Sequence, residues 1–363
     1  MNVSSHKNIV SSFQNPHLIR NRGVSSNPKN RFDSLVRELE FSEDQEPIKS
    51  IRTQYIEDPS QSILSRNQSP DLNFNQSLNP YRGCEHGCAY CYARPTHEYL
   101  GYSSGLDFES RILFKPRAAQ LLESALSAPG YKPETLAMSG VTDPYQPVEK
   151  QMGITRSCLD VLARCRHPVS LVTKNAGLLR DLDFFQQLHA YDCVSINLSI
   201  TTLDRKLARA LEPRTSTPQQ RLDAVAGLSR AGIPTGVLMG PVIPGLTDEE
   251  MPRIFEAARD AGARWFRFTV LRLPHAVKSL FQGWLQHHAP GKADRVLDRI
   301  RQLRGGRLYD AEFGVRMTGQ GIWAEQFYKL HRLTAHKLGF DEKPASLSTA
   351  HFIPPSGRQM ELF

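Results

Sequence analysis

The chain is expected to fold as an α/β protein built on a parallel sheet, and three observations predict it. Of 363 residues, 40% are hydrophobic and 23% charged, the balance of a globular chain with an ordinary core. No stretch approaches the roughly 18 uninterrupted apolar residues of a membrane span, so no membrane association is expected. Most informative, short apolar runs of strand length alternate six times with longer stretches of helical periodicity, the pattern of βα units. Such units return through a helix each time, which makes their strands parallel.

In order, the first strand is expected at 78–82, ahead of a cysteine-rich loop, with a helix at 116–127. The second strand, 135–140, leads to a helix at 153–165, and the third, 169–173, to one at 178–189. The fourth, 193–200, leads to a helix at 218–231. The fifth, 235–241, leads to one at 248–261, whose opening Thr247-Asp248-Glu249-Glu250 places acids where a helix dipole favours them. The sixth is 264–271. Alternation alone leaves an open sheet and a curved partial barrel equally open; in a barrel, function collects at the carboxyl ends of the strands.

This core, 61–273, is flanked by a polar arm (1–60), a helical appendage (274–345) and a tail (346–363). The charges from Met1 to Phe32 are all basic, whereas acids dominate from Glu38 to Asp58. So segregated and apolar-poor an arm is expected to be disordered or to fold only on docking, with a short amphipathic turn at Phe32, Leu35, Val36 and Leu39. The first residues contain no apolar h-region, so a cytoplasmic protein is expected. The net charge is +8, a mild basic excess.

Three of the six cysteines, Cys84, Cys88 and Cys91, fall within eight residues as C-x3-C-x2-C. In a reducing compartment a tight triplet points to metal ligation rather than disulfides. Three thiolates on a glycine-containing loop (Gly83, Gly87) suit a [4Fe–4S] cluster with one iron left open. With His97 they also make a Cys3His zinc set, and three unligated thiols are the plainest alternative. Cys158, Cys165 and Cys193 are expected to be buried structural thiols.

The triplet, with Tyr90 before its last cysteine, resembles the signature of the radical S-adenosylmethionine (radical SAM) superfamily, whose fold would be a partial (βα)6 barrel. More narrowly, Asn79-Pro80-Tyr81-Arg82-Gly83-Cys84 and Cys91-Tyr92-Ala93-Arg94 resemble the DNA-repair-like branch grouped with spore photoproduct lyase. The resemblance implies that the cluster and S-adenosylmethionine together yield a 5′-deoxyadenosyl radical, with an electron from a flavodoxin- or ferredoxin-type donor. It puts Tyr90 near the cofactor and the cofactor's amino group at the end of the second strand, where Ser139, Gly140, Thr142 and Asp143 stand; an Asx turn is the alternative for Thr142-Asp143-Pro144. Lys174, at a strand end, would pair with the cofactor carboxylate. Ser199 is the outermost of an alternating set (Ser195, Asn197, Ser199) on one strand face. Arg221 and Glu212 match positions near the cofactor, and Val242 and Ile243 an adenine contact. The same resemblance places the hydrogen-donor cysteine of the lyase just after the second strand, where this sequence has none.

The basic run Lys278, Lys292, Arg295, Arg299, Arg301, Arg304 and Arg307, near Phe281 and Trp284, would suit a nucleic-acid backbone with stacking, or be a solvated helix face. Three functions follow: a radical SAM enzyme acting on nucleic acid, one acting on a peptide or small metabolite, and a zinc-stabilised nucleic-acid-binding protein without catalysis.

Overall fold

The computed structural model describes residues 19–32, 50–138, 140–340, 344 and 346–355. The expected amphipathic turn after Phe32 lies outside these residues. Ten strands occur among them: β1 (Gln54–Glu57), β2 (Leu64–Arg66), β3 (Gln76–Leu78), β4 (Tyr81–Arg82), β5 (Arg111–Phe114), β6 (Leu136–Met138), β7 (Val169–Thr173), β8 (Val194–Ser199), β9 (Thr235–Val242) and β10 (Trp265–Val270).

The larger sheet has the order β10-β9-β8-β7-β6-β3-β2. Every pairing from β3 to β10 is parallel, and only the edge strand β2 runs antiparallel. The six parallel strands follow chain order without reversal. A doubly wound sheet reverses partway and carries helices on both faces, whereas right-handed crossovers in one direction put every helix on one face. The other face is left to line a concave interior, and among the described residues β10 pairs only with β9, so the barrel is partial.

Period two sorts the side chains accordingly. Val194, Ile196 and Leu198 of β8 join the main apolar core beneath the helices. Their alternates face inward, where Ser77, Ala137, Ser170 and Ser195 stand in register across four strands. These small side chains leave the lumen room. Nearby, Trp265 lies across Gly236 and donates from Nε1 to Asn197 Oδ1 at 2.8 Å. A Cβ at Gly236 would sit 2.0 Å from that nitrogen, so this position requires glycine.

Local chemistry accounts for the element ends. Helix Pro218–Arg230 starts from a capping box between Thr217 and Gln220 with Pro218 in its first turn. The expected first strand, 78–82, is divided. Pro80 has no N–H to give a ladder, so the chain leaves the barrel sheet at Leu78, and β4 pairs antiparallel with β5 in a small sheet ordered β1-β5-β4.

At 19–32 and 50–60 the arm docks on the core. Strand β1 pairs with β5, and Arg22 donates to the carbonyls of Glu109 and Ile51. Ile19 and Val24 share an apolar cluster with Cys88, Ala89 and Tyr90. Helices Val277–His288 and Pro290–Leu303 of the appendage complete that same cluster with Phe281, Trp284 and Ile300. No described helix is long and apolar enough to cross a membrane.

Candidate active site

The cysteine loop is pinned from several sides. Thr142 Oγ1 donates to the Gly83 carbonyl at 2.6 Å, and Gln146 Oε1 accepts the Glu85 N–H at 2.9 Å. The buried Arg94 donates from Nε and Nη2 to the Cys88 carbonyl at 3.0 and 2.9 Å and pairs with Glu109. Ala89 N–H reaches the Leu211 carbonyl at 3.0 Å. Gly83 and Gly87 both have positive φ, the conformation that lets the loop turn between its thiols.

All three loop cysteines are free thiols; Cys84 and Cys88 are buried and Cys91 is half-buried. Burial raises each thiol's pKa, and Asp143 adds to the effect at Cys84 as Glu212 does at Cys88, where Lys174 opposes it. Thiolates here need a bound cation to neutralise them, which is the condition metal ligation meets. Among the described residues, no three His, Cys, Asp or Glu side chains converge as ligands of one ion. The Cys3His zinc alternative finds no such ligand set among the described residues, and the His97 ring lies edge-on to Phe108, 5.6 Å between centroids. A [4Fe–4S] cluster would instead take one thiolate at each of three irons, and three free thiols on one loop suit that donor set.

Beside the loop, the ends of β7, β8 and β9 converge on a buried charge network. Lys174 Nζ lies 2.7 Å from Ser199 Oγ, 2.9 Å from the Gly240 carbonyl, 3.1 Å from Glu212 Oε1 and 3.2 Å from Thr201 Oγ1. Arg221 donates to the Ser199 carbonyl at 2.8 Å and to Glu212 Oε2 at 2.5 Å. Tyr90 donates its hydroxyl to Glu212, linking loop and barrel. Burial pushes the Glu212 carboxyl up, but Arg221 and Lys174 outweigh it and hold the group well below the ordinary carboxylate range.

The structure thus brings Tyr90, Lys174, Ser199 and Arg221 together beside the three cysteines. Gly140 also lies at this rim: its N–H donates to Asn79 Oδ1 at 2.9 Å and its carbonyl accepts the Tyr92 hydroxyl at 3.0 Å. Ser139 lies outside the described residues. Three expectations change. Asp143 is saturated, with Oδ1 accepting from Tyr145 N and Thr173 Oγ1 and Oδ2 facing Lys174 N and His86 Nδ1. It is a strut, closed by the Asx turn, rather than a free partner for an ammonium group. Val242 and Ile243, adjacent on an extended strand end, enter different apolar clusters, so they present no common face. The basic run is not one free face either: Arg304 is buried, Arg299 pairs with Asp248, Arg295 caps the Gly245 carbonyl, and Arg301 and Arg307 pair with Asp298 and Asp310. Phe281 and Trp284 are buried in the core, not available for stacking.

A family model described as the Radical SAM superfamily matches residues 78–258. An uncharacterised protein of Mycobacterium tuberculosis is 35% identical over 234 residues, 64% of this chain and 68% of that protein. The chain belongs to the radical SAM superfamily. A radical SAM Nalpha-GlyT isomerase of Pseudomonas phage M6 is 27% identical over 187 residues, 50% of this chain and 36% of that one. Among solved structures, a variant of spore photoproduct lyase with bound AdoMet and dinucleoside spore photoproduct superposes with a TM-score of 0.56 at 15% identity, covering 84% of this chain and 85% of that one. The likeness is one of fold. As a radical SAM enzyme, the protein needs a reductant, and the family implies S-adenosylmethionine and an iron–sulfur cluster.

Several residues of this radical SAM site escape a reading by motif. Arg94 belongs to the family-like run, but its buried clamp on Cys88 is visible only in three dimensions. Glu85, His86 and Gln146 act through loop contacts, and no periodicity marks them. Gly23 approaches the Gly87 carbonyl from 64 residues away in sequence, a contact that carries no local signal.

Proposed function

We propose that Cys84, Cys88 and Cys91 hold a [4Fe–4S] cluster, that S-adenosylmethionine binds across the ends of β6 to β9, and that the enzyme acts on nucleic acid in repair or modification. When bound, cluster and cofactor supply a 5′-deoxyadenosyl radical for hydrogen abstraction, once a flavodoxin- or ferredoxin-type donor delivers an electron. The observation that carries the reading is the position of three free thiols, on a rigidly held loop, against the Lys174–Glu212–Arg221 network at the strand ends.

That network suits an incoming amino acid carboxylate. Lys174 has three protons and four acceptors within 3.2 Å, two of them hydroxyls with other partners: Ser199 also reaches the Gly240 carbonyl, and Thr201 reaches Glu212. Lys174 can therefore turn a proton to a new carboxylate without stranding either hydroxyl. Arg221 keeps Glu212 ionised and holds the end of β8, so Lys174 stays positioned. A cytoplasmic setting would keep the thiols reduced. The nucleic-acid assignment is supported by the net charge of +8 and by the dinucleoside held by the lyase of like fold.

The enzyme is not expected to be an efficient spore photoproduct lyase. Cys158, Cys165 and Cys193 are packed in the main apolar core, and 139–143 contains no cysteine to quench a product radical. Anaerobic reconstitution of the full chain is the test. About four irons per chain are expected, lost in Cys84→Ala, Cys88→Ala and Cys91→Ala and kept in Cys158→Ala, Cys165→Ala and Cys193→Ala. Dithionite and S-adenosylmethionine should then yield 5′-deoxyadenosine, faster with an oligonucleotide present. Full iron in any of the first three variants would sink the cluster assignment, and an indifference to every oligonucleotide would move the substrate to a peptide or metabolite.

A further inference from the structure

On the arm side of the cysteine loop lies an open cleft of about 360 Å3, away from the strand-end network. Three separate segments build it: Arg20 and Arg22 from the docked arm, Arg52, Thr53 and Tyr55 from the stretch that enters β1, and Arg214 from the turn after Glu212. Four guanidinium groups thus face one space, and among the described residues no acidic side chain lines it.

Their partners do not account for this charge. Arg22 spends its donors on the Glu109 and Ile51 carbonyls and on Thr53 Oγ1 at 3.0 Å, which fixes it without neutralising it. Arg214 pairs with the buried Glu85 at 2.9 Å, and Thr53 and Tyr55 donate to that same carboxylate oxygen at 3.0 and 3.2 Å. Arg20 and Arg52 are exposed and have no hydrogen-bonding or ion-pair partner among the described residues. Burial lowers the pKa of Arg22, Glu109 partly offsets that, and the Arg214 charge lowers it further. Glu85 pairs with Arg214 and Glu109 with Arg94, so among the described residues the four cations keep an excess of positive charge that a polyanion would relieve.

We propose that this cleft binds phosphate groups, as a nucleic-acid backbone or a free polyphosphate presents them. Planar guanidinium forks match phosphate oxygens two at a time, and the forks of Arg20 and Arg52 are exposed and uncommitted among the described residues. The number of cations calls for at least two negative charges, which successive phosphates supply. The proposal extends the nucleic-acid reading above but rests on the cleft alone, with neither cluster nor cofactor in its argument.

The test measures binding on the full chain by fluorescence anisotropy of a short labelled oligothymidylate over a salt series, with inorganic pyrophosphate as competitor. The double variant Arg20→Gln/Arg52→Gln removes the two unpartnered cations and no internal contact. It should weaken binding about tenfold at low salt and flatten the slope of log K against log salt by about 1.4, two single-strand phosphate contacts. Lys278→Gln/Lys292→Gln makes the same charge change on the appendage and should leave the slope unaltered. Pyrophosphate binding by calorimetry that is weakened in the Arg20→Gln/Arg52→Gln variant, with no oligonucleotide binding, supports the cleft and assigns it to free polyphosphate; oligonucleotide binding that depends on Arg20 and Arg52 assigns it to a backbone. Equal slopes for the arm variant and the native chain would overturn the proposal. So would displacement by polyglutamate of matched charge as strong as that by pyrophosphate, which would make the surface a dock for an acidic protein. Iron content and 5′-deoxyadenosine yield without oligonucleotide, unchanged in the arm variant, keep a failure here distinct from a failure of the radical chemistry.

Discussion

Glu212 holds two cations, a tyrosine and a threonine hydroxyl in a site closed to water. Replacing it as Glu212→Gln leaves Lys174 and Arg221 without a buried counter-charge, so a loss of about 3 to 5 kcal/mol in urea unfolding is expected. Because its folded pKa lies below the unfolded value of about 4.3, its contribution is complete above that pH and is lost as pH falls toward the folded pKa. Acidification from about pH 5 to 3 should therefore cost the native chain more than the variant; equal losses would mean that the carboxylate is not held by its cations. Lys174→Met tests the other side of the pair. It should weaken S-adenosylmethionine binding by about 1 to 3 kcal/mol with iron retained, and unchanged affinity by calorimetry would reduce Lys174 to a partner of Glu212 alone. At this scale residue type was legible: cysteine spacing, a lysine at a strand end and a polar alternate on β8 all met in one place. What stayed hidden was bond count. Asp143 is the right type in the right place, yet four neighbours saturate it, and no linear pattern records how many donors a fold will bring to one carboxylate.

Elements with strong period were read closely. The third strand falls at 169–173 as expected, and helix 218–231 is shorter by one residue, since an apolar alternation or a Thr-Pro cap is local information. The three-stranded sheet went unseen because β1, β4 and β5 have four residues or fewer and pair across more than thirty positions. The arm segment 19–32 likewise docks through single contacts. At Gly23 a Cβ would lie 1.5 Å from the Gly87 carbonyl oxygen, a backbone atom with nowhere to go. Gly23→Ala should accordingly release residues 19–32 from the loop, seen as faster hydrogen exchange there and quicker tryptic cleavage at Arg20 and Arg31, while the barrel strands keep their protection. Native rates in the variant would mean that the arm is held by other contacts.

For the whole molecule, alternation announced the βα units but not their order, since periodicity is blind to which strands become neighbours; the barrel follows from the unreversed order seen only in the folded chain. The same folded chain sets a pH limit of its own. His97, against Phe108 beside the cysteine loop, and His167, between Tyr131 and Phe352, lie in different parts of the molecule, yet burial lowers both to about 4. In the unfolded chain each titrates near 6.5. Between pH 6.5 and 4 the unfolded state gains protons that the native state refuses, so stability is present above 6.5 and falls as pH drops through this window, by about 3 kcal/mol for each imidazole. This window opens about two pH units above that of Glu212, so the histidine loss begins first on a pH axis. The measurement is urea stability at half-unit steps. The native chain should lose stability with a slope approaching two protons near pH 5, about 2.7 kcal/mol per unit, and His167→Asn should lose about half of that slope whatever its stability at neutral pH. A slope unaltered by His167→Asn would show that the ring is protonated in the folded state and that His167 is not the neutral, buried group its surroundings make it.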